Sequence, residues 1–289
     1  MKSTDNYLPA AALALAILIA GAGAATAQHS DVLVADVGGQ VALGAASDIG
    51  GATQAFDLDA LVFEGVLLGG GLLPPAVAKD FEGDEPGFFA LDGTAGAADL
   101  AALGASALPG SAGASISLTP FTLGGGAGEL LYWDGQGAVA FEPAPAGTTF
   151  SFTPAVNFGM TGPAGGLDAH PIFQLDNGAA GKPADGVYAI APSIAVDGLT
   201  PSDPIYLVYL VDALIVSEAD AEEVEEALEA VEEGLAAEAL FSGKDFAFYE
   251  EAVEFVEAAV VPEPSAWGLA CLVGVALAAL AARRRATVV

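Results

Sequence analysis

"PIFQLDNGAAGKPADGVYAIAPSIAVDGLTPSDPIYLVYLVDALIV" occupies positions 171–216. Short runs of Ile, Val, Tyr, Phe and Leu alternate here with clusters of Gly, Pro, Asn, Asp and Ser. β-branched and aromatic runs of this length, cut by turn formers, predict three or four strands. The same texture extends upstream. "DVLVADVGGQVALG" (31–44) reads as two strands around Gly38-Gly39, a hairpin. "FDLDALVFEGVLL" (56–68) alternates near its start, with Phe56, Leu58 and Ala60 on one face. "ELLYWDGQGAVAFEP" (129–143) places two strands around Asp134-Gly135, and "TTFSFTPAVNFGM" (148–160) alternates Phe150 and Phe152 with small polar residues. The stretch 91–115 is rich in Ala and Gly and reads as loop. The expected fold is mainly β over residues 28–216, an antiparallel β-sandwich or jelly roll.

The texture changes at Ser217. "SEADAEEVEEALEAVEEGLAAEALF" carries Val224, Leu228, Val231 and Leu235 at helical spacing, with Ser217 or Asp220 to cap its start. Its many glutamates repel one another, and salt or divalent cations screen them. "KDFAFYEEAVEFVEAAVV" (244–261) predicts a second helix, with Phe246, Tyr249, Val253 and Val256 free to pack on the first helix or on the sheet. Residues 217–260 thus read as an acidic helical spacer.

Net charge is -31, from 38 acids against 7 bases. Lys2 and Arg283 to Arg285 lie at the ends, which leaves Lys79, Lys182 and Lys244 for the body. Nucleic acid and anionic lipid are excluded as partners by repulsion, whereas divalent cations are attracted. The single cysteine, Cys271, excludes an internal disulfide and a structural Cys-based zinc site.

Both ends read as addresses. Lys2, the apolar stretch Leu8 to Ala20 and "ATA" at 25–27 predict a signal peptide over 1–27, cleaved after Ala27 by signal peptidase. At the other end, Val261-Pro262-Glu263-Pro264-Ser265 precedes an apolar stretch, Ala266 to Ala282, and then Arg283-Arg284-Arg285. The stretch is about 17 residues, roughly 26 Å as a helix, marginal for spanning the hydrocarbon core. The arginines hold its far end in the cytoplasm as a membrane stop, and the prolines keep the segment before it extended. This tripartite 261–289 segment resembles the PEP-CTERM sorting signal. The resemblance implies recognition of Pro262, Glu263 and Pro264 by an exosortase, an integral-membrane protease of exopolysaccharide-making Gram-negative bacteria. It implies a transient membrane anchor, then residence in the cell envelope, at the cell surface or in the extracellular matrix. Exopolysaccharide is the partner so implied.

Catalytic signatures are sparse. The chain has no P-loop, no G-x-S-x-G elbow and no H-E-x-x-H. Its histidines are His29, beside the mature N-terminus, and His170, in "GGLDAHPIFQLDNG", with Asp31 and Asp168 as oxygen donors close by in sequence. His29, His170 and Asp168 are the candidate metal ligands, for zinc or calcium. The His-x-Asp start of the mature chain, "VFEG" (62–65), "DEPGFFA" (84–90), "LYWDG" (131–135), "LDAHPIFQLDNG" (167–178) and "GVYAIAPSIAV" (186–196) together resemble a group of exported β-rich PEP-CTERM proteins. Some members of that group are linked to zinc-responsive repression. The expectation is a non-enzymatic surface or matrix protein with neither catalytic residues nor a cofactor. The alternatives are an extracellular zinc- or calcium-binding protein, and a carbohydrate-binding or glycoside-hydrolysing module built on Tyr132, Trp133 and Asp134.

Overall fold

The computed structural model describes residues 31–49, 53–75, 77–155, 157–178, 181–232 and 234–260. The expected signal peptide with Ala27, then His29, and all of 261–289 with Pro262, Glu263, Pro264, the apolar helix and the three arginines lie outside the described residues. Among the described residues no helix is long and apolar enough to cross a membrane.

In chain order the elements begin β1 (Asp31–Val37), β2 (Gln40–Ile49), β3 (Thr53–Asp57), β4 (Val62–Leu67), β5 (Phe81–Gly83), β6 (Phe88–Ala90) and helix α1 (Ala97–Ala102). There follow β7 (Gly113–Leu118), β8 (Phe121–Leu123), β9 (Gly126–Gly128), β10 (Leu130–Trp133), β11 (Glu142–Pro143), β12 (Thr149–Thr153) and β13 (Gly159–Met160). Next come β14 (Leu167–Ala169), β15 (Ile172–Asp176), β16 (Gly186–Ile190), β17 (Pro192–Val196) and β18 (Tyr206–Val211). Helix α2 (Glu218–Glu232), the small hairpin β19 (Leu240–Phe241) and β20 (Lys244–Asp245), and helix α3 (Phe248–Val260) close the fold.

The molecule is mainly β, built of small, largely antiparallel sheets. One five-stranded sheet has the order β14-β6-β1-β2-β3, and a second has the order β11-β10-β16-β18-β4. Three-stranded sheets β12-β15-β5 and β13-β7-β17 complete the wall around the core. The hairpin expected at Gly38-Gly39 is present. Val37 pairs with Gln40, and the two glycines take φ of 65° and 91°, as a two-residue type I′ turn requires. Of the three or four strands expected in the 171–216 stretch, four form: β15, β16, β17 and β18. Two pairings depart from antiparallel expectation: β1 with β6 and β4 with β18 run parallel. Long connections separate both pairs in sequence, so no tight turn dictates their direction. The stretch 91–115 is not all loop, since it holds α1, which lays Leu100 over the outer face of β1.

Burial explains why alternation is faint in the apolar runs. In β1, Val32 and Val34 face the main core while Leu33 and Ala35 face the layer under α1. In β16 and β18, Tyr188, Ile190, Leu207 and Tyr209 face the main core, and Val187, Ala189, Val208 and Leu210 face away from it. Strands buried on both faces read as continuous hydrophobic runs.

The outer face of the second sheet is covered by α2 and α3. Val224 and Leu228 of α2, and Tyr249, Val253 and Val256 of α3, share one apolar cluster with Val62, Val66, Leu131, Trp133 and Val208. Residues 217–260, read from sequence as a spacer, contribute a layer of the fold, because the sheet beneath them is apolar on that side too. The α2 N-terminus is capped as expected: Ser217 Oγ accepts the Asp220 N–H at 3.3 Å, and Asp220 Oδ2 accepts the Val216 N–H at 3.0 Å. Leu235 was placed on the helix face by its spacing, but α2 ends before Gly234 (φ 70°) and Leu235 is 76% exposed.

Candidate metal centre

Three strands bring the site together. β6 lies between β1 and β14, with Val32 opposite Phe88 and Phe88 opposite Ala169. One step from those pairs, the registers set Asp31, Gly87 and His170 side by side at the sheet's end. Glu85 stands two residues before Gly87 in the β5–β6 turn. One ligating atom each from Asp31, Glu85 and His170 lies within 4.8 Å of the others.

Gly87 makes room for this cluster. A Cβ there would fall 2.4 Å from His170 Cε1, 2.6 Å from Asp31 Oδ1 and 2.7 Å from His170 Nδ1. Its backbone serves as well: the Gly87 N–H donates to Asp31 Oδ1 at 3.1 Å and to Glu85 Oε2 at 3.2 Å, while its carbonyl accepts the Val32 N–H at 2.8 Å. His170 Nδ1 lies 3.8 Å from Glu85 Oε1, and Nε2 lies 3.5 Å from Asp168 Oδ1. Asp168 therefore addresses the ring nitrogen on the far side from Glu85. A carboxylate behind the imidazole orients a ligating histidine.

The electrostatics suit a cation. Partial burial raises the Asp31 carboxyl above its ordinary range; the His170 ring and the Gly87 N–H pull the other way, and Asp168 adds to the rise. Glu85 is also raised, by withdrawal from water first and then by the Asp31 charge. Two carboxylates crowded on one side of an imidazole are relieved by a metal ion, which displaces their protons. The set leaves coordination positions open to water, since the His170 side chain is 39% exposed and that of Glu85 61%. One nitrogen and two oxygens suit zinc or another first-row transition metal better than calcium, which takes oxygen alone.

The structure thus joins His170 to Asp31, keeps Asp168 at the histidine's other nitrogen, and adds Glu85. The sequence reading missed Glu85 because its proximity depends on pairing between strands far apart in the chain. "DEPGFFA" stood out as a motif, but its acids were indistinguishable from the chain's many others.

The aromatic group at 132–134 is arranged differently from an open sugar platform. Trp133 is 4% exposed, packs edge-on against Phe248 with centroids 6.1 Å apart, and donates its indole N–H to the Gln136 carbonyl at 3.3 Å. Tyr132 is half-buried and donates its hydroxyl to the Asp185 carbonyl at 2.8 Å. Both border a cleft of about 430 Å³ that Asp134, Gln136 and Glu142 also line. Comparison of the chain with protein-family models, with curated proteins and with solved structures finds no match.

Proposed function

We propose that this chain is an exported, non-enzymatic protein of the bacterial cell surface or matrix, whose body binds one zinc-class cation through Asp31, Glu85 and His170. The observation that carries the binding reading is the convergence of three ligand atoms within 4.8 Å from three separate segments, around a glycine whose missing side chain leaves the space. Asp168 positions the imidazole. Export and sorting rest on the two terminal addresses: the signal peptide to Ala27, and the PEP-CTERM-like 261–289 segment offered to an exosortase. The scaffold is a β-sandwich, a reading supported by sheets that face one another across a common core.

Metal analysis of the purified chain, stripped with chelator and reloaded with zinc, tests the binding. The expected result is one zinc per chain and a higher melting temperature, both lost in His170→Ala. Equal zinc uptake by His170→Ala would overturn the assignment. For sorting, deletion of the host's sorting protease is expected to raise the mature protein's mass; unchanged mass and location would refute it.

The cleft beside Tyr132 supports a second reading, saccharide binding, through one aromatic face and the flanking Asp134, Gln136 and Glu142. Retention on a polysaccharide panel that is lost in Tyr132→Ala would establish it. No retention would remove it.

A further inference from the structure

The cleft beside Tyr132 also bears on which saccharide it takes. β11 is the edge strand of the second sheet, and β10 lies between it and β16. In these registers Tyr132 stands opposite Tyr188 on one side and Glu142 on the other. Residues directly opposite share a face of the sheet, so the three side chains form a row. Tyr188 covers one flank of the Tyr132 ring, with centroids 4.9 Å apart. The Tyr132 hydroxyl is tied to the Asp185 carbonyl at 2.8 Å. A Cβ on Gly186 would fall 2.7 Å from Tyr132 Cε2, so glycine there lets the ring lie close to the strand. The ring is therefore fixed before a ligand arrives, and its other flank is turned toward Glu142 and the cleft.

The charge around this ring has one sign. Asp134 and Glu142 are both exposed and both line the cleft. Asp134 Oδ1 accepts the Gln136 N–H at 3.0 Å, which steadies that carboxylate at the rim. No lysine, arginine or histidine among the described residues lines the cleft. Lys244, which stands over the Phe248 ring behind Trp133, is paired with Asp212. Withdrawal from water, then the charges of Asp134 and Asp185, raise the Tyr132 hydroxyl above its ordinary value of 10, so the ring presents a neutral π-face. An aromatic face flanked by carboxylates and by no base attracts an organic ammonium through both the ring quadrupole and the charges. The same field repels a carboxylated or sulfated sugar. Pro143 and Pro145 add stiff apolar walls against which the C–H face of a pyranose can lie. The cleft, at about 430 Å³, is broader than a single lysine side chain would fill.

Resting on the saccharide reading of this cleft, we propose that it takes an amino sugar whose nitrogen is unacetylated and charged, with the apolar ring face on Tyr132 and the ammonium facing Asp134 and Glu142.

Calorimetric titration of the zinc-free full chain at pH 6, where sugar amines are protonated, tests this. The probes are the β-1,4-linked glucosamine disaccharide, its N-acetylated counterpart, a uronic acid disaccharide and a Lys-Lys dipeptide. The dipeptide controls for bulk attraction, because a chain of net charge -31 draws in any small polycation. The glucosamine disaccharide is expected to bind about tenfold more tightly than the acetylated sugar or the dipeptide, and the uronic acid disaccharide not at all. Asp134→Asn with Glu142→Gln is expected to erase the preference and leave both glucosamine sugars bound equally. Tyr132→Ala is expected to abolish binding of both, and melting curves establish that each variant folds. Equal affinity of the unaltered chain for the two glucosamine sugars would overturn the ammonium assignment and leave the saccharide reading standing. Absence of binding by either sugar would overturn both. Dipeptide affinity equal to that of the glucosamine disaccharide, or a preference unchanged in the Asp134→Asn, Glu142→Gln chain, would reduce the effect to bulk charge and overturn the assignment.

Discussion

Gly87 and Glu82 show how single residues carry opposite duties. Gly87 matters for what it lacks, and Gly87→Ala is expected to push the His170 ring aside. Because the displaced group is a partly exposed side chain, stability should change by no more than about 1 kcal/mol. Zinc uptake, measured by equilibrium dialysis, should fall at least tenfold. Glu82 matters for what it accepts: fully buried on β5, it takes the N–H groups of Leu72, Leu73 and Lys79 at 2.6, 2.7 and 2.8 Å and the Gln174 amide at 2.8 Å. Burial alone would raise its carboxyl, but these donors outweigh it and hold the group below its ordinary value of 4.5. Its stabilising contribution is therefore present above pH 4.5 and lost as pH falls through the lower folded-state value. Glu82→Ala leaves the donors buried and unmet and is expected to cost about 3 kcal/mol in urea unfolding. At this scale the sequence revealed His170, Asp168 and Asp31, because histidine is scarce. It concealed Glu85, because a glutamate in a chain with 38 acids carries no mark of where it folds.

Elements were legible where only one face is buried or where a turn is specified. The Gly38-Gly39 hairpin follows its sequence signal closely, whereas the helix expected over 244–261 starts only at Phe248, because Lys244–Asp245 pairs with Leu240–Phe241 as β20; Phe246, Tyr249, Val253 and Val256 are nonetheless all buried. The boundary at Ser217 was visible as a change of texture, but what lies under the helices was not, since β18 reads "YLVYLV" whichever side is covered. The helix layer is also the acid-crowded one. Burial pushes Glu225 and Glu250 up to about 7, helped by Glu222 and Glu232 respectively. Both folded-state values lie above the ordinary 4.5, so the folded state holds more protons than the unfolded one between those limits. In the presence of chelator, stability should fall as pH rises from about 4.5 to about 7, the reverse of the Glu82 trend. Melting curves across that range check the sign, and Glu225→Gln with Glu250→Gln should flatten the slope. Tyr249→Phe, which removes the hydroxyl bridging Gly65 and Val208, is expected to lower stability by about 1–3 kcal/mol.

For the whole molecule the layers run α1, first sheet, main core, second sheet, then α2 with α3. A chain truncated after Val216 would bare Val62, Val66, Leu131, Trp133, Val187 and Val208 to water. It is expected to aggregate or to melt without a cooperative transition, whereas residues 31–260 should unfold as a unit in calorimetry; a cooperative melt of the truncated chain would return 217–260 to the status of a spacer. The parallel join between β4 and β18 has a further consequence, in time. Strand Val62–Leu67 finds its ladder partner at Tyr206–Val211 and its helical cover at α2 and α3, whose Tyr249 accepts the Gly65 N–H. Contacts so distant along the chain make assembly slow, on the order of milliseconds to seconds. Synthesis from the N-terminus therefore releases β4 long before anything can pair with it. The polypeptide stays threadable until its last quarter emerges, and β4 is the segment a chaperone would have most reason to cover during the wait.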